Sequence, residues 1–302
     1  MRRLIAYCRA YWVETGSPGY LLSILVLAGL LVYANYAGAL EAHWVRSVQG
    51  WPARFLRAFL LYALPYWLAF GFQYLFYKEV DFHRYRRWRG VLLAAPALFA
   101  LQSTLPLHTV GLALLYAVRS SCLILPIVLF WVIRDRERQP LYGLRRPDTW
   151  SYYPVLLVLM VPLLLYAAAQ PDFLAMYPRA RVLSDAALHG SAPHGAVVEG
   201  APSPLRLVLF EGSYGLDIFS MEFFFRGFLV FGLLRVCKAQ AILPMALFYC
   251  VAHFGKPMAE CISSLFGGWI LGIIAYKSRS IYVGVLLHLC LAWGLEVLAA
   301  LH

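Results

Sequence analysis

Apolar stretches recur along this chain at lengths that fit a lipid bilayer, and short basic clusters separate them. A hydrocarbon core of about 30 Å takes roughly 20 helical residues to cross. About nine stretches come near that length, at 20–37, 55–77, 90–107, 110–133, 153–170, 205–236, 239–254, 261–276 and 280–301. The expected fold is therefore all-α, a polytopic bundle of about nine transmembrane helices.

Composition agrees with that reading. Charged residues make up 14% of the chain and hydrophobic ones 62%, with mean hydropathy +0.68, whereas soluble domains carry about 25% charged residues. The bilayer is the first partner implied, with the chain as an integral, multi-pass protein of a plasma membrane, taken as a bacterial inner membrane. Trp44, Trp51, Trp131, Trp150, Tyr152 and Tyr153 fall close to span ends, where amphipathic rings settle at the headgroups. The net charge of +11 is split into short clusters between apolar runs, the mark of cytoplasmic loops, so no nucleic-acid partner is expected.

The clusters also orient the chain. Arg2, Arg3 and Arg9 are followed on alternate loops by Lys78, Arg84, Arg86, Arg87 and Arg89, then Arg134, Arg136, Arg138, Arg145 and Arg146, then Arg235 and Lys238, then Lys277 and Arg279. These loops are predicted on the cytoplasmic side, with the first residues inside as a lead-in rather than a cleaved signal peptide. Arg46, Arg54 and Arg57 soften the asymmetry on the opposite side.

Residues 171–204, rich in Ala, Gly, Pro, Ser and His, read as an external loop between N-terminal helices at 1–170 and a closing unit at 205–302. His189 and His194 in that loop have no partner cluster and receive no role. The six cysteines show no CxxC spacing, and most sit in apolar segments as small hydrophobes, so neither a disulfide framework nor a zinc knuckle is indicated. Arg119, inside a span, is expected to pair or to snorkel.

Chemistry concentrates in the closing spans. Glu222 and Arg226 lie inside the 205–236 stretch, read as one long helix, where a charge costs at least a few kcal/mol unless paired or facing a wet cavity. Their spacing brings them onto one face with the acid N-terminal to the base, so they can pair. Counting about 1.5 Å per residue from the basic clusters puts Glu222, His253 and His288 at roughly 14 to 22 Å, within the bilayer and within reach of one another. A carboxylate there can act as general base toward water, with histidines orienting the water or stabilising an oxyanion. The same set of one carboxylate and two imidazoles could instead ligate zinc, although the helical HExxH spacing is absent. Asp217 sits on the same helix face as Met221 but nearer the outer surface. Lys256 and Glu260, beside Gly255 and Pro257, read as a solvated turn. Gly268 and Gly272 form a small-xxx-small pair that lets helices approach closely.

Three motifs then stand in order: Met221-Glu-Phe-Phe-Phe-Arg-Gly227, Tyr249-Cys-Val-Ala-His253, and His288 with Ala292 four residues on. They resemble the EExxxR, FxxxH and HxxxN motifs of the CAAX-protease and bacteriocin-processing family of intramembrane peptidases. The resemblance covers about the last hundred residues. It implies a four-helix catalytic core and hydrolysis of a peptide bond in a membrane-associated protein or peptide, by a glutamic or metallo mechanism. It implies the site residues Glu222, Arg226, His253 and His288; the family's water activator is its first Glu, where Met221 stands, so Glu222 is expected to take over as base. No cofactor is required by this reading, and zinc is the metal such a set would take. Three positions depart from the pattern: Met221 replaces the first Glu, Tyr249 replaces Phe and Ala292 replaces Asn. Those departures open the alternative of a non-catalytic member that binds a peptide as an immunity or scaffold protein.

Overall fold

The computed structural model describes residues 2–77, 86–106, 111–177, 179 and 204–301. His189, His194 and all but a few residues of the 171–204 loop, together with Lys78 and Arg84, lie outside the described residues. Among those described, every regular element is helical and no strand occurs. Six helices precede the loop: α1 (Arg2–Thr15), α2 (Pro18–Gly38), α3 (Trp51–Phe76), α4 (Arg86–Thr104), α5 (Leu112–Arg134) and α6 (Tyr153–Ala168). After it come α7 (Pro204–Glu222), α8 (Ile242–Val251), α9 (Met258–Ser278) and α10 (Tyr282–Ala300).

Six segments are long and apolar enough to cross a membrane: Pro18–Gly38, Trp51–Phe76, Ala113–Arg134, Leu234–Val251, Met258–Ser278 and Tyr282–Ala300. The chain is an integral, multi-pass membrane protein. Three of the nine expected stretches do not reach that standard, for separate reasons. Tyr153–Ala168 is apolar but only 16 residues long. The helix α4 spends its first turn on Arg86, Arg87 and Arg89. The stretch 205–236 carries Arg206, Glu211, Asp217, Glu222 and Arg226, and it is not one α-helix.

That last departure shapes the site. Beyond Glu222 the backbone takes up π-helical hydrogen bonding over Phe223–Leu229, then turns at Gly232 before a short helix, Leu234–Cys237. Consecutive side chains on a helix point in different directions, yet Phe223, Phe224 and Phe225 are all buried, at 1%, 0% and 0% exposure, Phe223 beside Tyr142 and the other two in a shared group of rings. The wider turn sits inside a collar of rings. Phe99 of α4 lies 5.6 and 5.4 Å from the rings of Phe224 and Phe225, and Phe248 of α8 lies 5.9 and 5.4 Å from the same two. Tyr66 of α3 completes the group at 5.3 Å from Phe248. Lipid tails are as apolar as leucine, so such packing cannot draw on the hydrophobic effect within the bilayer. The ring pairs, each worth about 0.5–1.5 kcal/mol beyond area burial, carry that cohesion instead.

The glycine pair works as its spacing suggests. A Cβ on Gly268 would meet the Ala246 Cα at 3.3 Å, and one on Gly272 would meet side-chain atoms of Ile242 and Met245 at 2.8 Å. Their bare backbone is what seats α9 against α8. At the other end of α9, Lys277 Nζ donates to Glu14 at 2.7 Å and the Tyr276 hydroxyl donates to the same carboxylate, tying α1 to this unit. Helix α6 packs along α10, and α5 along α7. The N-terminal helices thus enclose the closing unit.

Candidate functional site

Glu222 ends α7 and Arg226 lies one π turn later, so the two side chains emerge on the same side of the widened segment. Arg226 Nη1 donates to Glu222 Oε1 at 2.8 Å, with the side chains 1% and 0% exposed. The guanidinium carbon also lies 4.1 Å from the centre of the Tyr249 ring. A cation over an aromatic face is attracted by the ring quadrupole, which partly offsets the loss of water. The pair foreseen from spacing is therefore made.

His288 of α10 joins the same oxygen. Its Nδ1 lies 3.2 Å from Glu222 Oε1, and since a carboxylate only accepts, Nδ1 carries the hydrogen. In the neutral ring that leaves Nε2 with a free lone pair. His288 is 24% exposed while Glu222 is fully buried. The imidazole is thus the member of the trio that reaches outward.

The second carboxylate oxygen, Oε2, has no hydrogen-bond partner among the described residues. It rests against Gly284, one turn before His288 on α10, where a Cβ would lie only 2.4 Å away. Gly284 lets the acid press onto the α10 backbone. Nothing in the family motifs singles it out, but its spacing of four from His288 puts it on the His288 face of the helix.

His253 is placed apart from this trio. Its Nδ1 lies 2.8 Å from the carbonyl of Tyr249, and no ion pair or hydrogen bond joins it to Glu222 among the described residues. Tyr249 stands between: its ring centre lies 4.4 Å from that of His253 and 6.4 Å from that of His288. The free Nε2 of His253 faces Glu260, with Oε1 at 4.0 Å, and the same Oε1 accepts from Lys256 Nζ at 2.6 Å. The Tyr36 hydroxyl of α2 holds the turn by donating to the Lys256 carbonyl at 2.7 Å. The turn before α9 is therefore tied to α2 at Lys256, while Gly255, Met258 and Ala259 remain exposed.

Asp217 lies farther along α7, 9% exposed, with Oδ1 unpartnered among the described residues. Arg119 is paired as foreseen, its Nε donating to Gln102 at 3.0 Å. Met221, in place of the family's first Glu, packs against the aromatic core, and Ala292, in place of its Asn, packs among Tyr116, Phe210, Tyr214 and Ile218. A depression of about 480 Å³ between α4 and α5, lined by Leu101, Leu114, Val118, Leu125 and neighbours, is apolar and lies away from this constellation.

The residues do not fit a zinc site. No three His, Cys, Asp or Glu side chains converge as a ligand set among the described residues. The Glu222 oxygen nearest His288 already faces the Arg226 cation, which would repel a divalent metal.

Residues 207–294 match the family described as Rce1-like, Type II CAAX prenyl endopeptidase Rce1-like. No curated protein and no solved structure matches the chain at a significant level. The matched span contains Glu222, Arg226, His253 and His288, together with Tyr249 and Gly284. The likeness to the CAAX-protease and bacteriocin-processing peptidases is thus established for the closing region of the chain, 207–294.

Proposed function

We propose that this protein is an intramembrane endopeptidase that hydrolyses a peptide bond in a membrane-associated protein or peptide. The observation that carries the proposal is the hydrogen bond from His288 Nδ1 to Glu222, inside the region that matches a peptidase family. A carboxylate so bonded fixes the tautomer and orientation of an imidazole, whose other nitrogen is then poised to accept a proton from water. The sequence points to Glu222 as the base, with His253 and His288 beside it. The burial of Glu222 and its two bonds at Oε1 favour a shared task instead, with His288 meeting the water and Glu222 holding and stabilising the imidazolium that forms. Arg226 keeps Glu222 ionised and aligned. His253, steadied by the Tyr249 carbonyl, is proposed to face the substrate from the opposite side of the Tyr249 ring.

The test is hydrolysis of membrane-anchored peptides by protein in lipid vesicles. His288→Ala and Glu222→Gln should each lower turnover by about 10²- to 10⁴-fold, the range for positioned acid–base groups. The two changes combined should cost little more than either alone, because the residues act as a unit. Full turnover by well-folded His288→Ala protein defeats this assignment.

One observation favours a second reading. Met221 and Ala292 both pack into apolar clusters and supply no polar group where the family pattern has Glu and Asn. On that reading the closing region binds a peptide without cutting it, as an immunity or scaffold protein. The same vesicle assay separates the two, since a binder retains the peptide uncleaved.

A further inference from the structure

Cys250 and Cys261 come together although they lie 11 residues apart and belong to different helices, α8 and α9. Their sulfurs are 3.7 Å apart, and each Sγ also approaches the other's backbone carbonyl, at 3.5 and 3.4 Å. Exposure is 1% and 0%. The two backbones cannot drift apart easily at this point, because Gly268 and Gly272 seat α9 directly on α8 and the Tyr36 hydroxyl pins the intervening turn. No other two cysteines among the described residues are within bonding reach; Cys290, for comparison, is exposed and faces the Tyr153 hydroxyl.

We propose that Cys250 and Cys261 form a dithiol–disulfide site that covalently staples α8 to α9 across the turn carrying His253, Lys256 and Glu260. A disulfide needs its sulfurs at about 2 Å, and the two Sγ atoms already stand 3.7 Å apart. The oxidant is a low-molecular-weight disulfide small and apolar enough to enter lipid. One cysteine thiolate attacks a sulfur of that disulfide, forming a mixed disulfide and expelling one thiolate. The second cysteine thiolate then attacks the first cysteine's own sulfur in that mixed disulfide, forming the Cys250–Cys261 bond and expelling the oxidant's remaining thiolate. Two electrons pass to the oxidant, which ends as two thiols after taking up the two protons the cysteines release. The product closes a short covalent loop around His253. This site does not depend on the hydrolytic reading, since the bond forms whether or not the protein cleaves anything.

The experiment uses the whole protein, reduced and reconstituted in lipid vesicles, treated with dithiodipyridine, a small disulfide that enters lipid. After acid trapping and digestion, the expected product is a Cys250–Cys261 cross-linked peptide lighter by two hydrogens than its reduced form, restored by dithiothreitol. Cys290, being exposed, should acquire a thiopyridyl group and so reports that the reagent has arrived. Hydrogen exchange across 252–260 should slow in the oxidised form, because the staple removes openings of the turn. In Cys261→Ala protein, Cys250 should be recovered as a free thiol or a single thiopyridyl adduct. Modified Cys290 beside unlinked Cys250 and Cys261 in the unaltered protein would overturn the proposal.

Discussion

Replacing Arg226 by methionine removes the cation that faces Glu222 while keeping most of the side-chain volume. The carboxylate is then left at 0% exposure with only the His288 N–H at 3.2 Å. Breaking a buried ion pair from one side costs about 3–5 kcal/mol, because the surviving charge keeps its desolvation penalty and loses its compensation. The cation–π contact with Tyr249, at 4.1 Å, goes as well and adds about 0.5–2 kcal/mol. The ratio of folded to unfolded protein should therefore fall by roughly 3 × 10² to 10⁵. Unfolding by graded addition of denaturing detergent, followed by tryptophan fluorescence, measures the difference. A second variant isolates the cause. Arg226→Met combined with Glu222→Gln removes the orphaned charge, and replacing both members of a buried pair is often close to neutral. Most of the lost stability should return, while hydrolysis stays low. A single Arg226→Met variant within 1 kcal/mol of the parent would refute the reasoning, as would a double variant no more stable than the single one.

Gly284→Ala should push the Glu222 carboxylate off its seat, since the added Cβ falls 2.4 Å from Oε2; overpacking of this kind costs about 1–3 kcal/mol, read as a lowered unfolding midpoint together with reduced turnover. The link between α1 and α9 should depend on pH. Burial pushes the Glu14 carboxyl up, but the hydrogen bonds from Lys277 and Tyr276 and the Lys277 charge outweigh it and hold the group below its ordinary value. A depressed carboxyl contributes stability above its unfolded pKa of about 4.5 and loses it as pH falls through the folded value. The Glu14 side chain is 29% exposed, so water screens the pair and the effect should be about 1 kcal/mol or less; Glu14→Gln should abolish the pH dependence of α1 protection in hydrogen exchange. Reporter tags after Arg89 and after Arg138 should face the cytoplasm, and a tag within residues 191–200 the opposite side, as the basic loops require; an inside tag at 191–200 reverses that arrangement.

Much of this architecture can be read from local spacing. Glu222 and Arg226 are four apart on a helical segment, and their contact follows from helix geometry alone. Gly268 and Gly272 declare a close helix contact in the same way, and the order of the three motifs points to His288. What spacing does not reveal is tertiary. The separation of His253 from Glu222 depends on the Tyr249 ring standing between them, and Tyr249 has no local feature that announces this. The turn at Lys256 and Glu260 has the composition of a solvated loop, yet the hydroxyl of Tyr36, from more than two hundred residues earlier, ties it to α2 at Lys256. Cys250 and Cys261 meet only because α8 and α9 double back on one another. The 153–170 stretch looks like a span by apolarity, and its helix stops short at Ala168.

The π-helical segment Phe223–Leu229 has a consequence for how this chain tolerates change in length. A π turn holds one residue more than an α turn, its hydrogen bonds reaching back five positions instead of four. Removing one residue there would let the backbone relax into ordinary α-helix, with everything beyond it rotated by about 100° relative to α7. The buried rings of Phe223, Phe224 and Phe225, and the helices beyond them, would be turned out of their places relative to α7. The segment is thus a register device: the whole closing region is indexed to α7 by a single extra residue. A scan of one-residue deletions along 205–236 should therefore find its sharpest loss of folding between 223 and 229, and one-residue insertions just after 229 should mimic it with the rotation reversed.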